Sequence, residues 1–181
     1  MNVRAPAVAG MFYPREPAIL AREIADYLDQ ADEDRLSPGF PKIVIVPHAG
    51  YIYSGAVAAH AYDLLRPARG IVKRVVLMGP CHRIAVRGLA LPGSDAFDTP
   101  LGRIPVDAEG VKLAQSLPQV CVMAATHAQE HAIEVQLPFL QQVLGNFSLL
   151  PFVVGSASAS QVCEVMEKLW GGIKVKWNGG H

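Results

Sequence analysis

Two short segments of this chain share a design in which an apolar run ends, proline follows, and histidine comes next or nearly next. They are Val46-Pro47-His48-Ala49-Gly50 and Met78-Gly79-Pro80-Cys81-His82. In open α/β sheets ligands sit beyond the carboxyl ends of the strands, so both imidazoles are delivered to the place where sites form. A neutral imidazole there offers a lone pair to a metal ion. The alternative is that each histidine caps its strand by bonding a backbone carbonyl. A third group, His127, Glu130, His131 and Glu134, is spaced by threes and fours. That spacing puts His127, His131 and Glu134 on one stripe if a single helix carries them. Histidine and carboxylate so placed ligate metal, or supply the outer carboxylate that fixes a ligand's tautomer. They also suit a solvated helix face whose carboxylates favour the positive end of the helix dipole.

Cys81 adjoins His82, but neighbours in an extended segment point to opposite sides, so the thiol reads as a small side chain in the cleft wall and not as a co-ligand. Gly50 and Gly55 flank Tyr51-Ile52-Tyr53-Ser54. They either let backbone approach a ligand at a helix N-terminus, or supply a turn while the tyrosines pack on the sheet. His60 reads as a packed or surface histidine, and His181 carries no inference.

Positioning these groups requires strands that end at them and helices that cover the sheet. Lys42-Ile43-Val44-Ile45-Val46 and Arg74-Val75-Val76-Leu77-Met78 lack polar alternation, the pattern of strands buried on both faces. Pro17 predicts the first residue of a helix with Leu20, Ile24, Tyr27, Leu28 and Ala31 at helical spacing, ended by the polar stretch 32–41. Ser54 or Gly55 opens an Ala-rich helix with Val57, Ala61, Leu64 and Leu65 inward. Residues 86–107, punctuated by glycine and proline, read as a hairpin or excursion rimming a cleft. Asp107 is an expected N-cap. Residues 120–124 read as a strand, and 130–144 as a helix that Pro138 kinks or restarts. Residues 149–154 form a strand interrupted by Pro151, and 158–169 an amphipathic helix using Val162, Val165, Met166 and Leu169. The alternation gives one domain over residues 1–170, a three-layer α/β sandwich with a mostly parallel central sheet. Residues 171–181 complete no packed unit and form an atypical tail, so the chain is expected to stop mid-fold.

Sixteen basic residues balance sixteen acidic ones with no long run of either sign, which argues against a nucleic-acid footprint or an anionic membrane surface. The expected partner is a small molecule or another protein. Cys81, Cys121 and Cys163 are odd in number and form no C-x-x-C pair, which fits a reducing cytoplasm better than a disulfide framework or zinc ribbon. No stretch approaches the roughly 18 apolar residues of a membrane span, and the N-terminus has no apolar leader.

Three motifs in this order carry a resemblance. Pro47-His48-Ala49-Gly50-Tyr51-Ile52-Tyr53-Ser54-Gly55, Gly79-Pro80-Cys81-His82 and Glu130-His131-Ala132-Ile133-Glu134-Val135-Gln136-Leu137-Pro138-Phe139-Leu140 closely resemble the signatures of the Memo-like family, also called AmmeMemoRadiSam system protein B. Supporting similarity runs from Ala9-Gly10-Met11-Phe12-Tyr13-Pro14 to Pro151-Phe152-Val153-Val154-Gly155. The resemblance implies a fold related to class III extradiol ring-cleaving dioxygenases, where two histidines and a carboxylate hold a non-haem Fe(II). His48 and His82 correspond to the family's two histidine ligands, and its third ligand is typically a Cys from a later segment that this chain does not include. The family's Ser-Ser-Asp-x-x-His stretch is replaced by residues 173–181, and Cys81 stands where Ser is usual.

Two functions follow from the resemblance. One is a metal-dependent, dioxygenase-like enzyme with Fe(II), or else Zn(II) or Cu, and His131 as acid or base. Tyr51, Cys81, Glu130 and Glu134 would then be outer or cleft residues. The other is a non-enzymatic metal- or partner-binding protein acting beside radical-SAM and AMMECR-type partners. With two protein ligands where catalytic sites supply about three, metal should bind weakly and the chain as given should be impaired. A sheet cut short would leave an unpaired edge, which predicts a homo-oligomer.

Overall fold

The computed structural model describes residues 1–31 and 39–170. The tail at 171–181 and residues 32–38, which hold most of the polar stretch expected to end the first helix, lie outside the described residues.

Four strands form the central sheet, in the order β2 (Arg74–Pro80), β7 (Ser148–Val154), β3 (Leu89–Leu91) and β6 (Val120–Val122). The β2/β7 and β3/β6 pairs are parallel, and β3 runs antiparallel to β7. A smaller sheet joins β1 (Val3–Arg4), β4 (Ala96–Thr99) and β5 (Gly102–Pro105). Side chains alternate along the central strands, and the alternation sorts them into two cores. Ala90, Leu149 and Val153 face a core built with α1 (Pro17–Asp29), α2 (Tyr51–Asp63) and α5 (Leu137–Leu144). Leu89, Leu91, Leu150 and Phe152 face Ala114 of α3 (Ala108–Ala114) and Val165 of α6 (Ala159–Leu169). The molecule is thus an α/β sandwich of three layers. A short α4 (Ala124–Ala128) follows β6. None of the described helices is long and apolar enough to cross a membrane.

Several elements form where sequence chemistry places them. Pro17 stands in the first turn of α1, which buries Leu20, Ile24 and Leu28. Asp107 caps α3 by accepting from the Gly110 amide, and Ser158 and Gln161 close a capping box on α6. Pro138 sits in the first turn of α5, where its missing donor costs nothing, and a 3-10 turn, Glu134–Gln136, leads into it. Helix 130–144 is therefore a turn, a 3-10 turn and a helix, and not one rod.

Other expectations are corrected. The run Lys42 to Val46 joins no strand ladder among the described residues, with Ile43 56% and Ile45 94% exposed while Val44 and Val46 touch the core. Apolarity signals burial of one face here, and ladder pairing is a separate requirement that it does not report. Likewise β2 stands at the edge of the sheet among the described residues and leaves Val76 39% exposed. Helix α2 begins at Tyr51 and turns Ser54, Gly55, Ala58, Ala59 and Tyr62 inward, leaving Val57 64% exposed. Its face is chosen by small residues: a Cβ on Gly55 would lie 2.6 Å from the Tyr27 ring, so α1 and α2 meet only because that side is nearly bare.

Residues 86–107 do not merely rim a cleft, because they contain β3, whose three residues are fully buried in the central sheet. Residues 120–124 divide between β6 and the start of α4. Nor does Pro151 interrupt β7. Leu149 accepts from the Asp107 amide and Gly155 donates to Gly88, so odd positions of β7 turn their polar groups away from β2. Pro151 shares that parity, and its missing N–H falls between the Val106 bridge and the β3 ladder, which starts only at Val153.

Candidate metal centre

His48, His82 and His131 come together, each offering a ring nitrogen within 4.8 Å of the other two. Their rings are close: centroids lie 5.3 Å apart for His48 and His82, 5.9 Å for His48 and His131, and 4.5 Å for the stacked His82 and His131.

Each histidine is held by a different device. His82 follows the end of β2, where Gly79 packs against Ala132 and Ile133 so closely that a Cβ would sit 3.1 Å from both. Glu130, buried at 1% exposure, then takes the His82 amide at 2.7 Å through Oε2 and the His82 Nδ1 at 2.8 Å through Oε1. A carboxylate only accepts, so Nδ1 carries the proton and Nε2 is left with its lone pair. His131 is held by the same carboxylate, since Glu130 Oε1 accepts from the His131 and Ala132 amides at 2.9 and 3.0 Å. His48 is placed by its loop. Gln136 Nε2 donates to the Pro47 carbonyl at 3.0 Å, and the Tyr62 hydroxyl fixes that amide by donating to its oxygen at 2.6 Å.

The electrostatics favour a neutral His131 beside a charged Glu130. Burial alone would push Glu130 up, but the Ala132 amide and the His82 bonds outweigh it and hold the acid below its ordinary range. His131 is pushed below the usual imidazole range chiefly by burial; Glu130 opposes this, and His82, His48 and Arg83 add to it.

The donor set fits a divalent cation. Tetrahedral coordination at 2.0–2.1 Å implies nitrogens about 3.3 Å apart, so side-chain rotations of roughly an ångström would close the cluster. Imidazole, with one ring tied to a carboxylate, is the donor chemistry of Zn(II) and non-haem Fe(II) sites.

The remaining candidates stand elsewhere. Tyr51 is in the core, its ring against Tyr13 and Phe139 and its hydroxyl donating to the Val135 carbonyl. Glu134 is fully buried on a different network, taking Arg4, the Ala7 and Val8 amides and Tyr13. His127 is 2% exposed and bonds the Ala90 carbonyl. The expected stripe of His127, His131 and Glu134 does not form, because α4 ends at Ala128 and the Glu130 side chain bonds the amides that a continuing helix would use. Cys81 neighbours His82, its thiol donating to the Ile84 carbonyl at 2.5 Å. His60 lies on the exposed side of α2. Phe12, Tyr62 and Gln136 were not singled out from the sequence as site residues. Gln136 lies inside the third motif and Phe12 in the Ala9 to Pro14 segment, which is the only signal they carry.

The fold is thus an α/β sandwich of three layers that gathers three histidines beside one buried carboxylate. Residues 4–176 match the Memo-like protein family, and the chain belongs to it. It is 39% identical over 162 residues to a MEMO1 family protein of Methanothermobacter thermautotrophicus, covering 82% of this chain and 56% of that one. Against a MEMO1 family protein of Aquifex aeolicus it is 37% identical over 155 residues, with 85% and 55% covered. A MEMO1 family protein of Methanopyrus kandleri is 36% identical over 181 residues, with 92% and 61% covered. The chain thus spans between about half and three fifths of the length of these relatives.

Proposed function

We propose that His48, His82 and His131 hold one divalent cation, Fe(II) before Zn(II) or Cu, and that this chain carries the metal-site scaffold of a dioxygenase-like protein. The observation behind this reading is the convergence of three ring nitrogens within 4.8 Å above a buried carboxylate. Fe(II) in such a setting supplies open positions for O₂ and a chelating substrate. The chain's own part is to present three imidazoles, keep His82 Nε2 free by holding its Nδ1 proton, and fix His131 beside it. With His131 as a third nitrogen, binding is expected to be firmer than two histidines alone allow.

Titrating the apo protein with Zn(II) and with Co(II) should give one equivalent per chain, and the triple His48→Ala, His82→Ala, His131→Ala variant should take none. If the triple variant binds as wild type does, the site is elsewhere. The single His131→Ala change separates ligand from acid or base: unchanged affinity leaves His131 with proton transfer only. Glu130→Gln should weaken binding by roughly 10- to 100-fold, because one of the two oxygens that accept from the His82 amide and ring becomes an NH₂, which cannot accept. Wild-type affinity in that variant would remove Glu130 from the account.

A second reading, a metal- or partner-binding protein working with radical-SAM and AMMECR-type partners without turnover, draws support from Ile45, Ile52 and Tyr53. These are 94%, 83% and 84% exposed on the segments flanking His48. Aerobic substrate consumption by the Fe(II)-loaded protein favours the first reading; stoichiometric complex formation without consumption favours the second.

A further inference from the structure

The segment from Arg4 to Tyr13 touches the His131 ring and the backbone at Tyr51 and Glu130, although none of its residues is a candidate ligand. It is pinned from below by Glu134, whose carboxylate accepts from Arg4 Nη1 at 2.5 Å, the Ala7 amide at 2.8 Å, the Val8 amide at 3.0 Å and the Tyr13 hydroxyl at 2.6 Å. Four bonds fill the lone-pair sites of a carboxylate, so the arm has one seat. Between the pins it folds back on itself: the Met11 and Phe12 amides donate to Val8, and Gly10 donates to Tyr13. That turn carries Phe12 to the cluster.

Phe12 then makes two contacts of consequence. Its ring lies 4.8 Å from the His131 ring, on which His82 also stacks at 4.5 Å. Its carbonyl accepts from the Tyr51 amide at 2.7 Å, and a Cβ on Gly50 would stand 3.3 Å from that oxygen, so the turn two residues after His48 closes directly onto Phe12. Arg4 completes the set by donating from Nη2 to the Glu130 carbonyl at 2.9 Å, on the residue whose side chain holds His82. We infer that this N-terminal arm, through Phe12, is a positioning element of the histidine cluster, fixing the His131 ring and the His48 turn in the same step. The inference rests on the cluster being a metal site, but the arrangement of the rings can be read without metal.

The test uses Phe12→Ala and Phe12→Leu in the full chain. Phe12 is only partly buried, so thermal melts should stay close to wild type. In the apo protein at neutral pH, the imidazole ring-proton NMR resonances of both His131 and His48 should move in Phe12→Ala, and the Tyr51 amide should exchange faster. Co(II) affinity should fall by about 10-fold, within the range for outer partners, with a changed visible absorption spectrum. Phe12→Leu, which restores bulk, should recover most of the affinity. A Phe12→Ala protein with unmoved His48 resonances and unchanged Co(II) affinity overturns the inference. If wild type takes up no Co(II) at all, the metal reading fails and the apo resonances alone decide whether Phe12 positions the rings.

Discussion

Replacing Glu134 with alanine should cost the fold about 3–5 kcal/mol, the usual consequence of leaving one half of a buried ion pair behind. Glu134 is fully buried, and its partner Arg4 keeps only 7% of its side chain exposed. The guanidinium would retain the His127 and Glu130 carbonyls, but no negative charge. Two backbone amides and the Tyr13 hydroxyl would lose their acceptor at the same time, and two of these donors, the Val8 amide and the Tyr13 hydroxyl, are buried. Urea denaturation at neutral pH measures the difference. Glu134→Gln should cost less, since its amide oxygen still accepts from some of these donors. A loss below about 1 kcal/mol for Glu134→Ala, the level of an exposed pair, would show that the arm is not anchored as described.

Glu134 also marks where sequence reading ran short. Its spacing from His131 suggested a shared stripe, yet Arg4 and Glu134 are 130 residues apart, and no local pattern announces a contact over that distance. The break between α4 and the 3-10 turn has a local cause, the bonds from Glu130 to the next two amides. A glutamate that caps its own turn looks, in sequence, like any helical glutamate. By contrast, the positions of His48 and His82 were legible because proline ends each apolar run just before them. The three-layer α/β architecture was legible because β7 alternates its two buried faces and the helices between strands are periodic. The Lys42 to Val46 run was misread because hydrophobicity reports which atoms avoid water and says nothing of which backbone finds a ladder partner. The inward face of α2 was misread because Gly55 and the alanines, not the larger Val57, set how closely α1 can approach.

Acid should begin to destabilise this protein above the range in which carboxylates titrate, and His127 is the main reason. Burial lowers its imidazole from 6.5 to about 4, aided by Arg4 and opposed by the Ala90 carbonyl and Glu130. The Ala90 oxygen can only accept, so the neutral ring bonds it at 2.8 Å through a protonated Nε2. Nδ1 is buried with no hydrogen-bond partner among the described residues, so a second proton would have nowhere to donate. The unfolded chain binds that proton readily below pH 6.5, while the folded chain refuses it until pH about 4. Stability from this group is therefore complete above 6.5 and falls as the pH drops toward 4, where the loss levels off. At about 1.4 kcal/mol per unit, the span amounts to roughly 3 kcal/mol. His131, lowered in the same direction, steepens the same fall. Glu130, held low by its hydrogen bonds, adds a further loss only below its ordinary value of 4.5. Urea melts from pH 7 to 4.5 should follow this slope, and His127→Gln, which keeps a donor for Ala90 but cannot titrate, should flatten most of it. Equal slopes in the two proteins would mean that His127 is already protonated in the fold, or that water reaches it.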